Sequence, residues 1–151
     1  MAVVSIAKIS DLPSLMCLIR SMRKACPWLK NEERVQEYER TMVNCIADGG
    51  GLCIKEKETV VAILLFSKIE RELTFLGVSP RYRRQGLATA LIEKMLEYLG
   101  REEAILVNTY REDDPLGEGV RILYSSFGFE PGKLVEKGGY PRQEMILPAA
   151  R

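Results

Sequence analysis

Apolar residues recur at a helical interval twice in the first third of the chain. Leu12, Leu15, Leu18, Ile19 and Met22 form one stripe, and that period places them on one side of a helix. Ser10 or Asp11 can cap its start, and Pro27 is expected to end it. The second stripe is Val35, Tyr38, Met42 and Ile46. Asn31 opens it, with Glu32 and Glu33 in the first turn, where the helix dipole favours acid. Gly49-Gly50-Gly51 stops it. Ahead of both, Val3 to Ala7 reads as a strand rich in β-branched residues.

After the glycines the period changes. Leu52 to Ile54, Val60 to Ser67 and Leu73 to Val78 are short apolar runs with polar spacers, which suits an antiparallel meander. Pro80 ends the third run. A helix is expected from about Gln85 to Leu99, with Ala88, Leu91, Ile92, Met95, Leu96 and Leu99 on one face. Ala104 to Asn108 reads as a strand, Leu116 to Ser126 as a helix, and Arg142 to Leu147 as a last strand; another begins near Phe129. Strand, helix and strand following an antiparallel start predict an α/β fold of the α+β type. The expected core is a mixed, mostly antiparallel sheet with helices on both faces. The 151 residues suit one domain spanning 1–151.

Composition narrows the chemistry. Lys and Arg number 22 against 21 Asp and Glu, a net charge of +1, so no basic excess marks a nucleic-acid binder. Histidine is absent, which removes Ser-His-Asp and Cys-His catalysis and the commonest metal ligand. Cys17, Cys26, Cys45 and Cys53 form no C-x-x-C pair, so neither a zinc site nor a disulfide framework is expected. Cys17 and Cys45 fall on or near the apolar faces of the predicted helices and read as buried thiols. MAVVSIAKISD lacks the charged and long apolar regions of a signal peptide, and Val60 to Phe66 is too short to span a bilayer. A cytoplasmic protein without a metal or membrane partner is expected.

The segment PRYRRQGLATALIEKML, Pro80 to Leu96, joins a strand directly to a helix. The first N–H groups of a helix lack intrahelical partners and carry the positive end of its dipole, so this junction is suited to an anion. Gly86 has no Cβ and Ala88 is small, which leaves the backbone approachable. Arg83 and Arg84 can add charge-assisted contacts. Neither G-x-G-x-x-G nor G-K-[ST] is present, and an isolated glycine turn of this kind reads as solvated.

The longer run LGVSPRYRRQGLATALI resembles the acyl-CoA signature of the GNAT N-acetyltransferase superfamily. In that family a strand ends in a Val-x-Pro type segment, and an [RQ]-x-x-G-x-[GA] loop, met here by Arg83, Gly86 and Ala88, leads into a long helix. ILYSSFGFEP, Ile122 to Pro131, resembles the family's helix that ends in a Tyr before a Gly-Phe turn. The resemblance covers almost the whole chain, in pattern only over the N-terminal third. Many members carry an Asn seven residues before that Tyr; here the position is Gly117.

The resemblance implies direct transfer of an acetyl group from acetyl-CoA to an amine in a ternary complex, which needs no covalent enzyme intermediate. It places the cofactor's pyrophosphate on the backbone of Arg84, Gln85, Gly86, Leu87, Ala88 and Thr89, with the Arg83 and Arg84 side chains nearby. Val78 is the position whose free backbone N–H polarises the thioester carbonyl. Tyr124 matches the general acid for the leaving thiolate, and a phenol of pKa ~10 can donate while neutral. Against that, Tyr124 can simply pack on Phe127 and Phe129. Glu72 matches a carboxylate base for an amine that is mostly protonated at neutral pH; Glu70 competes, and a solvated hairpin residue is an equal reading. Tyr140 and Arg142, in GGYPRQ, line the acceptor side on this reading, while Glu112-Asp113-Asp114 reads as a solvated loop and Trp28 as a packing residue.

The expectation is therefore an acetyl-CoA-dependent N-acetyltransferase with a small-molecule or peptide amine acceptor, as a monomer or homodimer. Two alternatives stand beside it. One is a non-catalytic acyl-CoA-binding or regulatory module of the same fold. The other is a nucleic-acid binder using PRYRRQ, against which the balanced charge and the lack of interleaved aromatics argue.

Overall fold

The computed structural model describes residues 3–24 and 26–150. Seven strands, β1 (Val4–Ile6), β2 (Gly51–Glu56), β3 (Thr59–Ser67), β4 (Glu72–Val78), β5 (Ile105–Tyr110), β6 (Glu130–Lys137) and β7 (Tyr140–Leu147), form one sheet in the order β1-β2-β3-β4-β5-β7-β6. All neighbours are antiparallel except β4 and β5, which run parallel. A parallel pair needs a crossover, and α3 (Leu87–Leu99) supplies it. The other helices are α1 (Leu12–Ser21), α2 (Glu32–Ala47) and α4 (Glu118–Ser126).

Helices cover both faces of the sheet. Leu15 and Ile19 of α1 and Val35 and Met42 of α2 pack on Ile63, Leu65 and Phe75. On the opposite face Leu91, Ile92 and Met95 of α3 and Tyr124 of α4 pack on Leu64, Phe66, Val107 and Met145. Strand β3 therefore faces apolar cores on both sides, which is why its run shows no alternation.

Local chemistry accounts for the element ends. Asn31 caps α2 by accepting from the Arg34 N–H at 2.9 Å. Helix α1 ends at Ser21, short of Pro27, and Pro27 opens a separate 3-10 turn over Pro27–Leu29. Cys17 is exposed, against expectation. It lies two residues from both Leu15 and Ile19, about 200° around the helix from each, on the side away from the core. Cys26 and Cys53 are buried and Cys45 is half-buried.

Arg71 reads from sequence as a spacer, yet it anchors the crossover. Its guanidinium donates to the carbonyls of Leu99, Gly100, Glu103 and Ala104 at 2.7–3.2 Å. This satisfies acceptors at the end of α3, where a cation also suits the helix dipole.

Candidate active site

Strands β4 and β5 pair only at Glu72↔Leu106 and Leu73↔Val107, and then part. The parting coincides with a bulge in β4. Phe66 pairs with Leu73 and Leu65 with Phe75, leaving Thr74 as the extra residue. A bulge bends and twists its strand, and here it carries the end of β4 away from β5. It also switches faces, so Phe75 turns toward α1 and α2 while Leu76 and Val78 turn toward α3.

The backbone of β4 fits that geometry. The Ser79 N–H donates to the Val61 carbonyl at 2.8 Å, with Gly77 opposite Ile63. Antiparallel alternation then aims the N–H groups of Val78 and Leu76 away from β3, into the gap. The Arg83 guanidinium reaches back to the Val78 carbonyl at 3.3 Å.

The gap forms a cleft of about 590 Å3, within the range of small-molecule sites. Val78, Arg83, Arg84, Gly86, Leu87, Ala88 and Thr89 all line it, as does Tyr124, while Gln85 is exposed outside the lining. Gly86 is the N-cap of α3 at φ +78°, and its carbonyl accepts the first helical bond from Ala90. A Cβ built on Gly86 would meet nothing within 4 Å. Arg84 also has a positive φ, +62°, a conformation costly for a side-chain-bearing residue. Consecutive amides wrapped around an open space at a helix N-terminus, with two arginines beside them, fit a pyrophosphate.

The faces of the sheet separate the remaining groups. Residues paired across a sheet share a face, so Glu72, Leu106, Asn108, Tyr110, Arg142 and Glu144 project from the α1/α2 side. Val107, Met145 and Leu147 project from the other side, where Tyr124 lies 3% exposed with its ring 5.6 Å from Phe129. Burial alone holds the Tyr124 phenol above the ordinary tyrosine range. Tyr124 thus packs on Phe129 and lines the cleft at once. Glu72 stands across the sheet from it, outside the main cleft, in an adjoining pocket that shares Trp28, Tyr38, Leu73, Thr74, Asn108 and Arg142 with the cleft.

Asn108 donates to the Glu72 carboxylate at 3.1 Å. Burial, then the nearby Glu70, raise the Glu72 pKa above its ordinary 4.5, opposed by Lys137 and by the Asn108 contact. Aromatic residues wall this side. Trp28 lies 5.3 Å from Tyr110 and 5.7 Å from Tyr140, and the Arg142 guanidinium stacks 4.3 Å over the Trp28 ring. Cys26, also lining the cleft, has its thiol pushed up by burial to about 11, so it stays protonated rather than becoming a nucleophile.

Two sequence features acquire structural reasons. Asp114, from the acidic run, caps the Pro115–Gly117 turn by accepting from the Leu116 N–H at 3.0 Å and also accepts from the Tyr140 hydroxyl. A Cβ on Gly117 would stand 2.2 Å from the Cβ of Tyr110. Glycine at position 117 is therefore demanded by the Tyr110 side chain. Asn108 and Trp28 belong to the site although nothing in their sequence setting singled them out for it.

The family model of the acetyltransferase (GNAT) family matches residues 17–129. The chain belongs to the GNAT acetyltransferase family. No curated protein matches the chain. Among solved structures, it is similar to a GNAT-family acetyltransferase from Bacillus cereus, at 22% identity and TM-score 0.74 over 100% of this chain and 99% of that one. A PaiA N-acetyltransferase from Thermoplasma acidophilum, solved in complex with coenzyme A, aligns at 17% identity and TM-score 0.72 over 98% and 99%. An N-acetyltransferase from Staphylococcus aureus aligns at 13% and 0.77 over 99% of each chain. At these identities the likeness concerns the GNAT fold.

Proposed function

We propose that the protein is an N-acetyltransferase that brings acetyl-CoA and an amine together from opposite faces of its sheet. The observation that carries this reading is the gap between β4 and β5. It joins the open N-terminus of α3 and Tyr124 on one face to Glu72 and the aromatic wall on the other.

Acetyl-CoA supplies an acyl group already activated as a thioester. The amides from Arg84 to Thr89 hold its pyrophosphate, with Arg83 and Arg84 adding charge. The Val78 N–H, directed into the gap, donates to the carbonyl oxygen as negative charge builds there. Glu72 takes a proton from the acceptor ammonium, directly or through water; its raised pKa suits a base working nearer neutrality. The amine nitrogen then bonds to the acyl carbon as the carbon–sulfur bond breaks. Tyr124 gives its proton to the departing sulfur and is restored by the proton the nitrogen sheds on becoming an amide. An un-ionised phenol is needed for that donation, and the burial of Tyr124 keeps it so.

Purified protein incubated with acetyl-CoA and a panel of primary amines should release free CoA thiol and add an acetyl mass to at least one amine. Tight CoA binding with no thiol release on any amine would instead support a non-catalytic binding module.

A further inference from the structure

We infer that the acceptor is an amine that also carries a carboxylate, and that Arg142 grips that carboxylate in the pocket on the α1/α2 face. The inference rests on the acetyl-transfer reading and specifies its acceptor.

Arg142 is only 9% exposed. Its Nε is buried without a hydrogen-bond partner. Among the described residues, the ion pairs are Arg20–Glu32, Arg34–Glu37, Lys55–Asp11 and Lys94–Glu97, and none involves Arg142. A cation withdrawn from water this far is costly unless an anion or several acceptors answer it. Stacking on Trp28 compensates through the ring face and the Tyr38 hydroxyl lies within reach of the guanidinium, but neither supplies the anion that the planar fork matches, and Nε stays unanswered. The two carboxylates that share its sheet face, Glu72 and Glu144, both lie beyond 4 Å.

The amine end of such an acceptor also has a match. Asn108 spends its amide N–H on Glu72, and its Oδ1 is buried with no partner. An amide oxygen beside a carboxylate is a pair of acceptors suited to an ammonium group. Arg142, Glu72 and Asn108 line one pocket of about 330 Å3, so the cation site and the ammonium site face a common space. Lys137 and Arg34 also line that pocket, and Arg34 is paired with Glu37. With Arg34 answered by Glu37, which also lines the pocket, Arg142 and Lys137 stand against Glu72 alone, and a polyamine would bring charge of the wrong sign to Arg142.

The test pairs each amino acid with its decarboxylated amine: leucine with isoamylamine, lysine with cadaverine, tyrosine with tyramine, plus a β- and a γ-amino acid. Thiol release gives kcat/KM for each, and calorimetry gives acetyl-CoA affinity. The wild-type protein is expected to prefer the carboxylate-bearing member of at least one pair by about 10- to 100-fold, the value of a charge-assisted bond. Arg142→Gln should erase that preference with acetyl-CoA affinity unchanged, and Arg142→Lys should retain part of it. Equal or better turnover of the decarboxylated amines by wild-type protein overturns the inference, whatever the variants do, and leaves acetyl transfer intact. A preference that survives Arg142→Gln overturns the role of Arg142. No turnover on any pair with acetyl-CoA bound overturns the acetyl-transfer reading itself, and this inference falls with it.

Discussion

Replacing Gly86 with alanine separates the backbone's role in binding from its role in folding. Gly86 sits at φ +78° with no atom within 4 Å of its missing Cβ. The substitution therefore adds no clash, and its folding cost is the left-handed conformation alone, about 1 to 2 kcal/mol. For a chain of this size that corresponds to a melting point lower by about 2 to 8 °C. The new methyl stands in the space assigned to the pyrophosphate. Losing one or two charge-assisted amide contacts weakens CoA binding by about 10- to 100-fold. Gly100 provides a matched control, since it ends the same helix at φ +71° and also has open space around its missing Cβ. Gly100→Ala should cost about 1 to 3 kcal/mol of stability and leave CoA affinity unchanged. Calorimetric CoA titration with thermal melts of all three proteins decides the matter. If Gly86→Ala melts lower but binds CoA as wild type does, the phosphate site is misplaced. A β-branched residue would be a poorer probe here, because at positive φ its strain swamps the binding effect.

Tyr124→Phe removes only a hydroxyl from a packed ring, so CoA affinity and folding should persist while kcat falls by about 100-fold; an unchanged kcat means water or another group protonates the sulfur. Glu72 titrates above 4.5 because of burial and Glu70, so the acid limb of kcat/KM should lie above that value, drop in Glu70→Gln, and vanish in Glu72→Gln. The linked stability has a definite sign. A carboxyl whose folded pKa is raised stabilises the fold below pH 4.5 and loses that contribution as pH climbs through the folded value, so Glu72→Gln should melt above wild type near neutral pH and the two should converge in acid. Gly117→Ala forces a methyl to within 2.2 Å of Tyr110. It should cost about 1 to 3 kcal/mol and shift the Tyr110 ring against Trp28, visible as a change in tryptophan fluorescence.

The legible parts of the fold are those where one physical signal dominates. Stripes of period 3.6 gave α1, α2 and α3 their faces, and the apolar run Val60 to Ser67 marked β3 as a strand, though not that it is buried on both sides. Strand β6 is the opposite case: an edge strand with mostly exposed residues and a bulge between Pro131 and Leu134, so no alternation marks it. At the site, the Arg83-to-Thr89 loop could be read because its conformation is local, set by glycine and helix capping. The opposite placement of Glu72 and Tyr124 could not, because it depends on the parity of two strands and on one bulged residue, Thr74. Arg142 shows the same limit. Its charge is visible in the sequence, but its burial on Trp28 arises from the register Tyr110↔Arg142 and from the turn that ends α1 early.

On the proposed function, one molecule of CoA lies along the α3 N-terminus with its pantetheine arm in the gap between β4 and β5. A crystal structure of the protein with CoA tests this directly. Pyrophosphate oxygens are expected within hydrogen-bond reach of the amides between Arg84 and Thr89, and the thiol in the gap near Tyr124 on the face opposite Glu72. CoA seated on another surface, or an arm that stays outside the gap, would contradict it.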